Sequence, residues 1–117
     1  MAPPVRQTTV ARRRALFEDA ASIIDREYAE ELNLDDVARR IAASRRQLQR
    51  AFAESGQTTF RTYLRVVRMT RAAELLRSDS IPVNQVARSV GYRQPAQFAK
   101  AFRRHHGKPP SAFRRAA

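Results

Sequence analysis

The sequence contains no cysteine, and this absence excludes several kinds of chemistry. Without a thiol there is no disulfide, no thiolate metal site, no redox-sensing cysteine and no transfer of an alkyl group to cysteine. The sequence also lacks paired carboxylates, a Ser–His–Asp arrangement, a phosphate-binding loop and a cluster of metal ligands, so we expect no enzyme, no cofactor and no metal.

Long hydrophobic segments are absent as well. No run approaches the roughly 18 apolar residues of a membrane-spanning helix, and no apolar core of a signal peptide is present. We therefore expect a soluble protein of the cytoplasm that does not interact with membranes.

Acidic residues are scarce after Asp36. Eight of the eleven lie between Glu18 and Asp36, so residues 1–36 carry five basic and eight acidic side chains, a net charge of −3. Residues 37–117 carry eighteen basic and three acidic side chains, a net charge of +15. The chain as a whole has a net charge of +12, which indicates a polyanionic partner. Of the 23 basic residues, 21 are arginine. Arginine suits bidentate contacts to guanine and phosphate, although GC-rich codon usage explains most of this bias.

One pattern occurs twice between Leu34 and Gly107. Each copy has apolar residues at i, i+3, i+4 and i+7, then a turn of small residues, then a second stripe anchored at i and i+4. The second helix of each copy is rich in Arg, Lys and Gln, which is typical of a DNA-binding helix-turn-helix. The equivalent residues, 49 apart and then 50 apart, are Leu34 and Val83, Val37 and Val86, Ala38 and Ala87, Ile41 and Val90, Leu48 and Phe98, Arg50 and Lys100, and Phe52 and Phe102.

Helix-capping and helix-terminating residues divide the chain into about seven helices. We therefore predict an all-α protein. Asn33, Ser44 and Thr58 or Thr59 are suitable N-caps, glycines follow several apolar stripes, and prolines suit first turns. We predict helices over about 11–29, 34–42, 45–55, 60–77, 82–90 and 95–105, and a short C-terminal helix that follows Pro109 and Pro110.

The predicted helices group into two lobes. We expect a flexible tail over residues 1–10, a first helix-turn-helix lobe over 11–56, a linker helix over 57–77 and a second lobe over 78–117. The predicted helix in this linker, residues 60–77, has eighteen residues and spans about 27 Å. That length suits two recognition helices held near one DNA turn apart, about 34 Å.

Three consecutive arginines, Arg12, Arg13 and Arg14, stand near the predicted start of the first helix. Cations there oppose the helix macrodipole. The sequence leaves two interpretations open, a contact to phosphate and a solvated cluster.

These features together resemble the DNA-binding domain of the AraC/XylS family of bacterial transcription regulators. The resemblance covers about Ala11 to Arg115 and is most specific in IPVNQVARSVGY, in the F-x-x-x-F of Phe98 and Phe102, and in FRRHHGKPPSAFR. His106 stands where the family usually has a large apolar residue, and we interpret it as a partly buried histidine and not as a metal ligand.

The resemblance implies a function as well as a fold. It implies two helix-turn-helix units bridged by a central helix, and a monomer that binds an asymmetric site in double-stranded promoter DNA through two major-groove segments on one face. It also implies a regulator that more often activates than represses, with RNA polymerase as a partner. Larger members of the family carry a separate sensor or dimerisation domain, so this chain resembles the single-domain members.

The first recognition helix offers the clearest candidates for reading bases. With Leu48, Ala51 and Phe52 facing the core, the opposite face carries Arg45, Arg46, Gln49 and Arg50. Arginine can pair with guanine and glutamine with adenine. The base-contacting positions of the family match Arg46, Gln49 and Arg50.

The second recognition helix is poorer in such groups. With Phe98, Ala101 and Phe102 buried, the outward positions are Pro95, Ala96, Ala99, Lys100 and Arg103. The family's base-contacting positions match Pro95, Ala96, Gln97, Ala99 and Lys100, and three of these five side chains cannot form a hydrogen bond. We retain Ala96, Gln97 and Lys100 as candidate base contacts.

Candidate phosphate contacts come mainly from the resemblance. They are Arg40, Thr62, Arg65, Arg103, Ser111 and Arg114. Ser111 and Arg114 belong to the predicted C-terminal helix, whose N-terminal N–H groups also favour phosphate.

Three alternatives remain beside a sequence-specific regulator. The chain could be the DNA-binding fragment of a longer, ligand-sensing regulator, although its initial Met and complete first helix argue mildly against this. It could be a nucleoid-type protein that binds DNA without sequence preference. It could also be a helical adaptor whose basic face meets an acidic protein.

Overall fold

Seven helices make up the described part of the chain. In the computed structural model the backbone is described for residues 5–116 and the side chains for residues 9–116. Within that range there is no strand, which confirms the all-α prediction. The helices are α1 (Val5–Glu27), α2 (Leu34–Arg40), α3 (Arg45–Ser55), α4 (Phe60–Leu76), α5 (Val83–Ser89), α6 (Pro95–His106) and α7 (Pro110–Ala116).

The chain divides into two compact units, each with one helix-turn-helix. The first unit holds α1, α2, α3 and the start of α4 as far as Leu64. The second unit holds the short segment Tyr28–Glu31 and the chain from Arg65 onward. The segment predicted as a separate linker, residues 57–77, is thus shared between the two units.

A ring of aromatic side chains forms the core of the first unit. The Phe52 side chain is fully buried, and its ring packs edge-on against Phe17, Phe60 and Tyr63 at centroid distances of 5.1, 5.8 and 5.9 Å. Leu48 from the preceding turn of α3 is also fully buried. Both residues were predicted to fix the first recognition helix to its partners, and the structure confirms their place in the core.

The core of the second unit is built around α6. Phe98 and Phe102 are fully buried, and the Phe102 ring lies 5.3 Å from that of Phe113. His106 stacks on Phe102 at 4.3 Å, and its Nε2 lies 3.0 Å from the carbonyl oxygen of Met69. His106 is half-buried, as the sequence predicted. It fills the place of an apolar side chain while one ring nitrogen keeps a hydrogen-bond partner, which the sequence did not indicate.

Helix ends follow the predicted capping residues closely. Asn33 Oδ1 accepts from the N–H of Asp36, and Thr59 Oγ1 accepts from the N–H of Thr62. Ser44 forms a complete capping box, in which its Oγ accepts from the N–H of Gln47 and the Gln47 side chain accepts from the N–H of Ser44. The N-terminus of α3 is thus fixed by local hydrogen bonds.

The N-terminal end of α1 differs from the prediction. The helix begins at Val5, whereas the sequence predicted a loose tail as far as Val10; residues 1–4 of that tail lie outside the described residues. No proline or glycine occurs from Val5 to Val10, so nothing in that stretch interrupts the hydrogen-bonding pattern.

The other boundaries shift by one or two residues. Helix α2 ends at Arg40 and not near Ala42, and α5 begins at Val83 with Pro82 as its N-cap. Gly56 closes α3 with a right-handed φ of −100°, and the left-handed residue that follows is Gln57. Glycine was therefore not needed for backbone conformation at position 56.

The two helix-turn-helix turns share their backbone geometry. Ala42 and Gly91, 49 residues apart, both have a positive φ, of 56° and 99°. The next residue in each turn donates its N–H to the helix before it, Ala43 to Ala38 at 2.8 Å and Tyr92 to Ala87 at 2.9 Å. The repeat seen in the sequence thus extends to the hydrogen bonds of the turn.

Replacing Gly91 by alanine is expected to destabilise the second unit by about 1–2 kcal/mol, because an L-residue pays this cost at a left-handed φ. A Cβ there would also lie 3.1 Å from the guanidinium of Arg68. Thermal or urea unfolding measures the change. The reverse substitution Ala42→Gly is the matched control and should change stability by less than about 1 kcal/mol, since relief of strain and added chain entropy oppose each other. Equal effects of opposite sign at both positions would show that the close approach of Arg68 adds nothing to the cost at Gly91.

Candidate nucleic-acid interface

Helix α3 presents a polar face over a buried stripe. Leu48, Ala51 and Phe52 are buried, and the capping box at Ser44 fixes where the helix begins. All four side chains predicted to read bases from this helix are exposed: Arg45, Arg46, Gln49 and Arg50. The helical period explains the exposure of Arg46 and Arg50, which lie opposite the buried Leu48, and of Gln49 beside them. Arg45 lies nearer the buried side of the helix and is exposed as the first residue of α3.

The four residues differ in whether they form an ion pair within the protein. The Arg45 Nη1 donates to Asp35 Oδ2 at 3.1 Å, and both side chains are 61% exposed. Among the described residues no ion pair involves Arg46 or Arg50. Exposed ion pairs contribute little to stability, so Arg45 can leave Asp35 at small cost. Arg46 and Arg50 need not leave any partner.

An open cleft lies on each side of the polar face of α3 within the first unit. The cleft on the side of Arg45, Gln49 and Ala53 has a volume of about 530 Å³, and its other wall includes Phe60 and Arg61 from α4. The cleft on the side of Arg46 and Arg50 has a volume of about 220 Å³. The polar edge of α3 thus stands between two depressions, which leaves it accessible to a large ligand.

Helix α6 presents a weaker set of polar groups. Phe98 and Phe102 are buried as predicted, whereas Ala101 is only half-buried. The candidate base contacts Ala96, Gln97 and Lys100 are exposed, as is the candidate phosphate contact Arg103; Ala99 is half-buried. Pro95 occupies the first turn, and the N-cap Gln94 makes no side-chain capping hydrogen bond. This helix therefore carries few groups that can form a hydrogen bond with a base edge.

Two of the predicted phosphate contacts are held by the protein itself. The Arg40 guanidinium donates to both carboxylate oxygens of Glu27, at 2.8 and 2.5 Å, and this hydrogen bonding lowers the pKa of Glu27. The half-buried Arg114 donates from Nε to the carbonyl of Leu76 at 3.1 Å and from Nη2 to the carbonyl of Ile81 at 2.5 Å. Arg114 therefore has a structural role that the sequence did not indicate: it satisfies carbonyl groups at and beyond the end of α4.

The remaining predicted phosphate contacts lie at or near the surface. Ser111 is exposed in the first turn of α7, and Arg65 is half-buried in α4. Thr62 is half-buried, and its hydroxyl forms a hydrogen bond of 3.0 Å with Thr59 Oγ1. Thr62 thus takes part in the capping of α4, and its hydroxyl is available to a phosphate only through a second hydrogen bond.

Sequence reasoning did not identify Arg93. This residue directly precedes the N-cap of α6, and its Nη2 lies 3.3 Å from Glu31 Oε2 with both side chains more than 80% exposed. It belongs to the N-terminal end of the second recognition helix, the end that meets base edges in helix-turn-helix proteins. Its charge was the available signal, but Arg93 lies outside the helical stripe that guided the prediction.

A half-buried arginine in the second unit has a structural role. Arg68 donates from Nε to the carbonyl of Tyr28 at 2.8 Å and from Nη2 to the carbonyl of Glu30 at 3.0 Å, and its guanidinium lies 5.7 Å from the centre of the Tyr92 ring. Burial lowers the pKa of Arg68. These contacts attach the segment Tyr28–Glu31 to the second unit.

The described residues lack two other kinds of feature, a metal site and a membrane-spanning helix. No group of three or more His, Asp or Glu side chains there is placed to hold a metal ion. None of the described helices is long and apolar enough to span a membrane. The repeat places the polar faces of α3 and α6 at equivalent positions of the two helix-turn-helix units.

Comparison with known proteins identifies the family. The family described as a helix-turn-helix domain matches residues 37–116, which contain the second helix-turn-helix unit and all of the first except the first three residues of α2. The chain is 32% identical over 99 residues to the regulatory protein SoxS of Escherichia coli, covering 85% of this chain and 92% of SoxS. It belongs to the AraC-type helix-turn-helix family of DNA-binding transcription regulators.

Two further proteins are similar to this AraC-type chain. It is 31% identical over 102 residues to the Msm operon regulatory protein of Streptococcus mutans, which covers 87% of this chain but only 37% of that protein. It also resembles the DNA-binding domain of the global transcriptional factor AdpA, solved in complex with a target DNA. That likeness has a TM-score of 0.77 and 30% identity, and it covers 86% of this chain and 90% of the AdpA domain.

Proposed function

We propose that this chain is a sequence-specific transcription regulator that places α3 and α6 in the major groove of double-stranded promoter DNA. The observation that carries the proposal is the polar face of α3, where Arg46, Gln49 and Arg50 stand exposed over a buried core. A helix of about 10–12 Å diameter fits the major groove, which is about 12 Å wide. AdpA, whose DNA-binding domain has a similar fold, was solved with its target DNA, which supports the same ligand here.

The two recognition helices contribute unequally in this proposal. Helix α3 reads bases through Arg46, Gln49 and Arg50, and through Arg45 once it leaves Asp35. The exposed positions of α6 include Ala96, whose methyl group can at most pack against a thymine methyl. Gln97 supplies one polar contact, and Lys100, although a candidate base contact by its position, contacts phosphate in this proposal.

Phosphate contacts position the protein and do not read sequence. Arg65, Arg103 and Ser111 remain in this role, and Thr62 contributes through its hydroxyl. Arg40 joins them where phosphate displaces Glu27. Arg114 joins them through the N–H groups that do not bond the carbonyls of Leu76 and Ile81.

We further propose a monomer that acts in the bacterial cytoplasm, as an activator that contacts RNA polymerase. Among the described residues the exposed large apolar side chains are Val10 and Val66, which supports a surface without a dimer interface. In this proposal the protein is not an enzyme.

A fragment of a longer, ligand-sensing regulator is the second candidate. The observation in its favour is that the chain spans only 37% of the Msm operon regulatory protein. The chain covers 92% of SoxS. Both candidates share the DNA-binding mode proposed here.

Selection of bound sites from a random DNA pool tests the function. The expected consensus is sharp over the part read by α3 and blurred, or rich in A and T, over the part read by α6. Arg46→Ala and Arg50→Ala should each relax the base preference at particular positions of the DNA site. Each lost bidentate contact should reduce discrimination between bases by about 1–3 kcal/mol. Lys100→Ala is the control and should weaken binding to all sequences about equally.

Three results would count against the proposal. No enrichment in the selected pool would support a nucleoid-type protein, and equally sharp halves would contradict the unequal roles of α3 and α6. A loss of preference at one base alone in Lys100→Ala would reassign that residue to base reading.

A further inference from the structure

The three consecutive arginines of α1 do not lie where their sequence position suggested. Because α1 begins at Val5, Arg12, Arg13 and Arg14 lie well inside the helix and not at its N-terminal end, so the macrodipole does not oppose them. At about 100° per residue, Arg12 and Arg13 share a face with Leu16, while Arg14 lies about 200° around the helix from Arg12. The helix thus separates Arg14 from the other two.

The face that carries Arg12 and Arg13 borders the smaller of the two clefts beside α3. This cleft, with a volume of about 220 Å³, is lined by Arg12 and Arg13 from α1 and by Ser44, Arg46 and Arg50 beside it. We name it the arginine cleft. No Asp or Glu side chain lines it, whereas the larger cleft on the opposite side of α3 contains Asp35.

The charge of the arginine cleft is largely uncompensated. Arg13 Nη1 forms an ion pair with Glu54 of α3. In the described part of the chain no ion pair involves Arg12, Arg46 or Arg50. Like charges around a small cleft repel one another, and an anion placed among them relieves that repulsion. The cleft is therefore a site for an anionic group.

Size and position indicate which anion fits. Small-molecule sites usually measure about 300–1,000 Å³, so this cleft suits one phosphate group better than a whole phosphorylated metabolite. Arg46 and Arg50 also belong to the exposed face of α3. A helix that fills the major groove brings its neighbours against the sugar-phosphate strands that border the groove.

We propose that the arginine cleft binds a backbone phosphate of the DNA strand that borders the groove occupied by α3, with Arg12 as the contact from α1. The inference rests on the proposed function and adds α1 to the DNA-binding surface. It decides between the two interpretations of the arginine cluster: Arg12 contacts phosphate, and Arg14 is solvated.

The test compares Arg12→Gln with Arg14→Gln, which removes the same charge from the same helix outside the cleft. For Arg12→Gln, the slope of log K against log salt should become shallower by about 0.9, the value for one phosphate contact. At 0.1 M salt this corresponds to an affinity about eightfold weaker than wild type, for the selected site and for random DNA alike. Arg14→Gln should change affinity less than twofold and leave the slope unchanged.

Phosphate-ethylation interference on the selected site provides a second readout. One phosphate whose ethylation weakens wild-type binding should lose that effect in Arg12→Gln and keep it in Arg14→Gln. Melting curves of both variants should match the wild type, because both side chains are exposed. Equal behaviour of the two variants in slope and interference would overturn the proposal.

Titration of the DNA-free protein with inorganic phosphate and pyrophosphate, followed by NMR of the arginine side chains, separates the two sources of phosphate. Millimolar binding that depends on Arg12, together with equal DNA affinity of the two variants, would assign the cleft to a free ligand and overturn the proposal. A wild-type protein that selects no site refutes the proposed function but not this inference, because the two variants can still be compared on random DNA.

Discussion

Replacing Phe102 by alanine is expected to lower the free energy of unfolding of the second unit by about 3–5 kcal/mol. The ring is fully buried and contacts Phe98, His106 and Phe113, so its removal leaves a cavity that these neighbours fill only in part. A loss of this size is a large fraction of the stability of a small domain. DNA binding by α6 should fail because the helix loses its support.

Urea unfolding followed by circular dichroism measures this loss. Phe52→Ala is the parallel variant for the first unit, where Phe17, Phe60 and Tyr63 surround the missing ring. Val66→Ala serves as the control and should cost well under 1 kcal/mol, since Val66 is 40% exposed. An unchanged melting temperature in Phe102→Ala would contradict the packing described for α6.

Affinity for DNA should fall about a thousandfold between 50 and 200 mM salt. With about six phosphates neutralised, the slope of log K against log salt is expected near −5. The physical reason is the release of counterions from DNA when arginine side chains replace them, and residues 37–117 carry a net charge of +15. Fluorescence anisotropy with a labelled duplex measures the slope directly.

The control for this measurement is the melting temperature of the free protein over the same salt range, which shows that the protein stays folded throughout. A slope shallower than about −2 would mean that the basic surface does not contact the DNA backbone. Such a result would also remove the basis of the arginine cleft as a phosphate site.

Much of the site was predictable because helix periodicity alone separates buried from exposed positions. Leu48 and Phe52 define the inner side of α3, and Arg46, Gln49 and Arg50 then fall on the outer side without any knowledge of neighbouring helices. The same reasoning predicted the buried Phe98 and Phe102 and the paucity of polar groups on α6. The capping hydrogen bonds at Asn33 and Ser44 were also predictable from the sequence, because each joins residues that are three apart.

What the sequence did not predict is the partners of side chains whose contacts are distant in sequence. Arg114 resembled a phosphate contact, but its donors reach the carbonyls of Leu76 and Ile81, 38 and 33 residues away. Arg40 is held by Glu27 across 13 residues. Periodicity within one helix cannot indicate which long, charged side chain finds a partner on another element.

The sequence by itself determined the seven helices, the two helix-turn-helix units and the polar face of α3, because these depend on the spacing of residues within short segments. Only the tertiary structure decided which arginines have partners within the protein. Side chains of equal charge became different in role once the chain folded: Arg68 and Arg114 are held by backbone carbonyls, and Arg40 by a carboxylate. Arg12 lines a cleft that forms only when α1 packs against α3, since a cleft between two helices depends on residues that are far apart in the sequence.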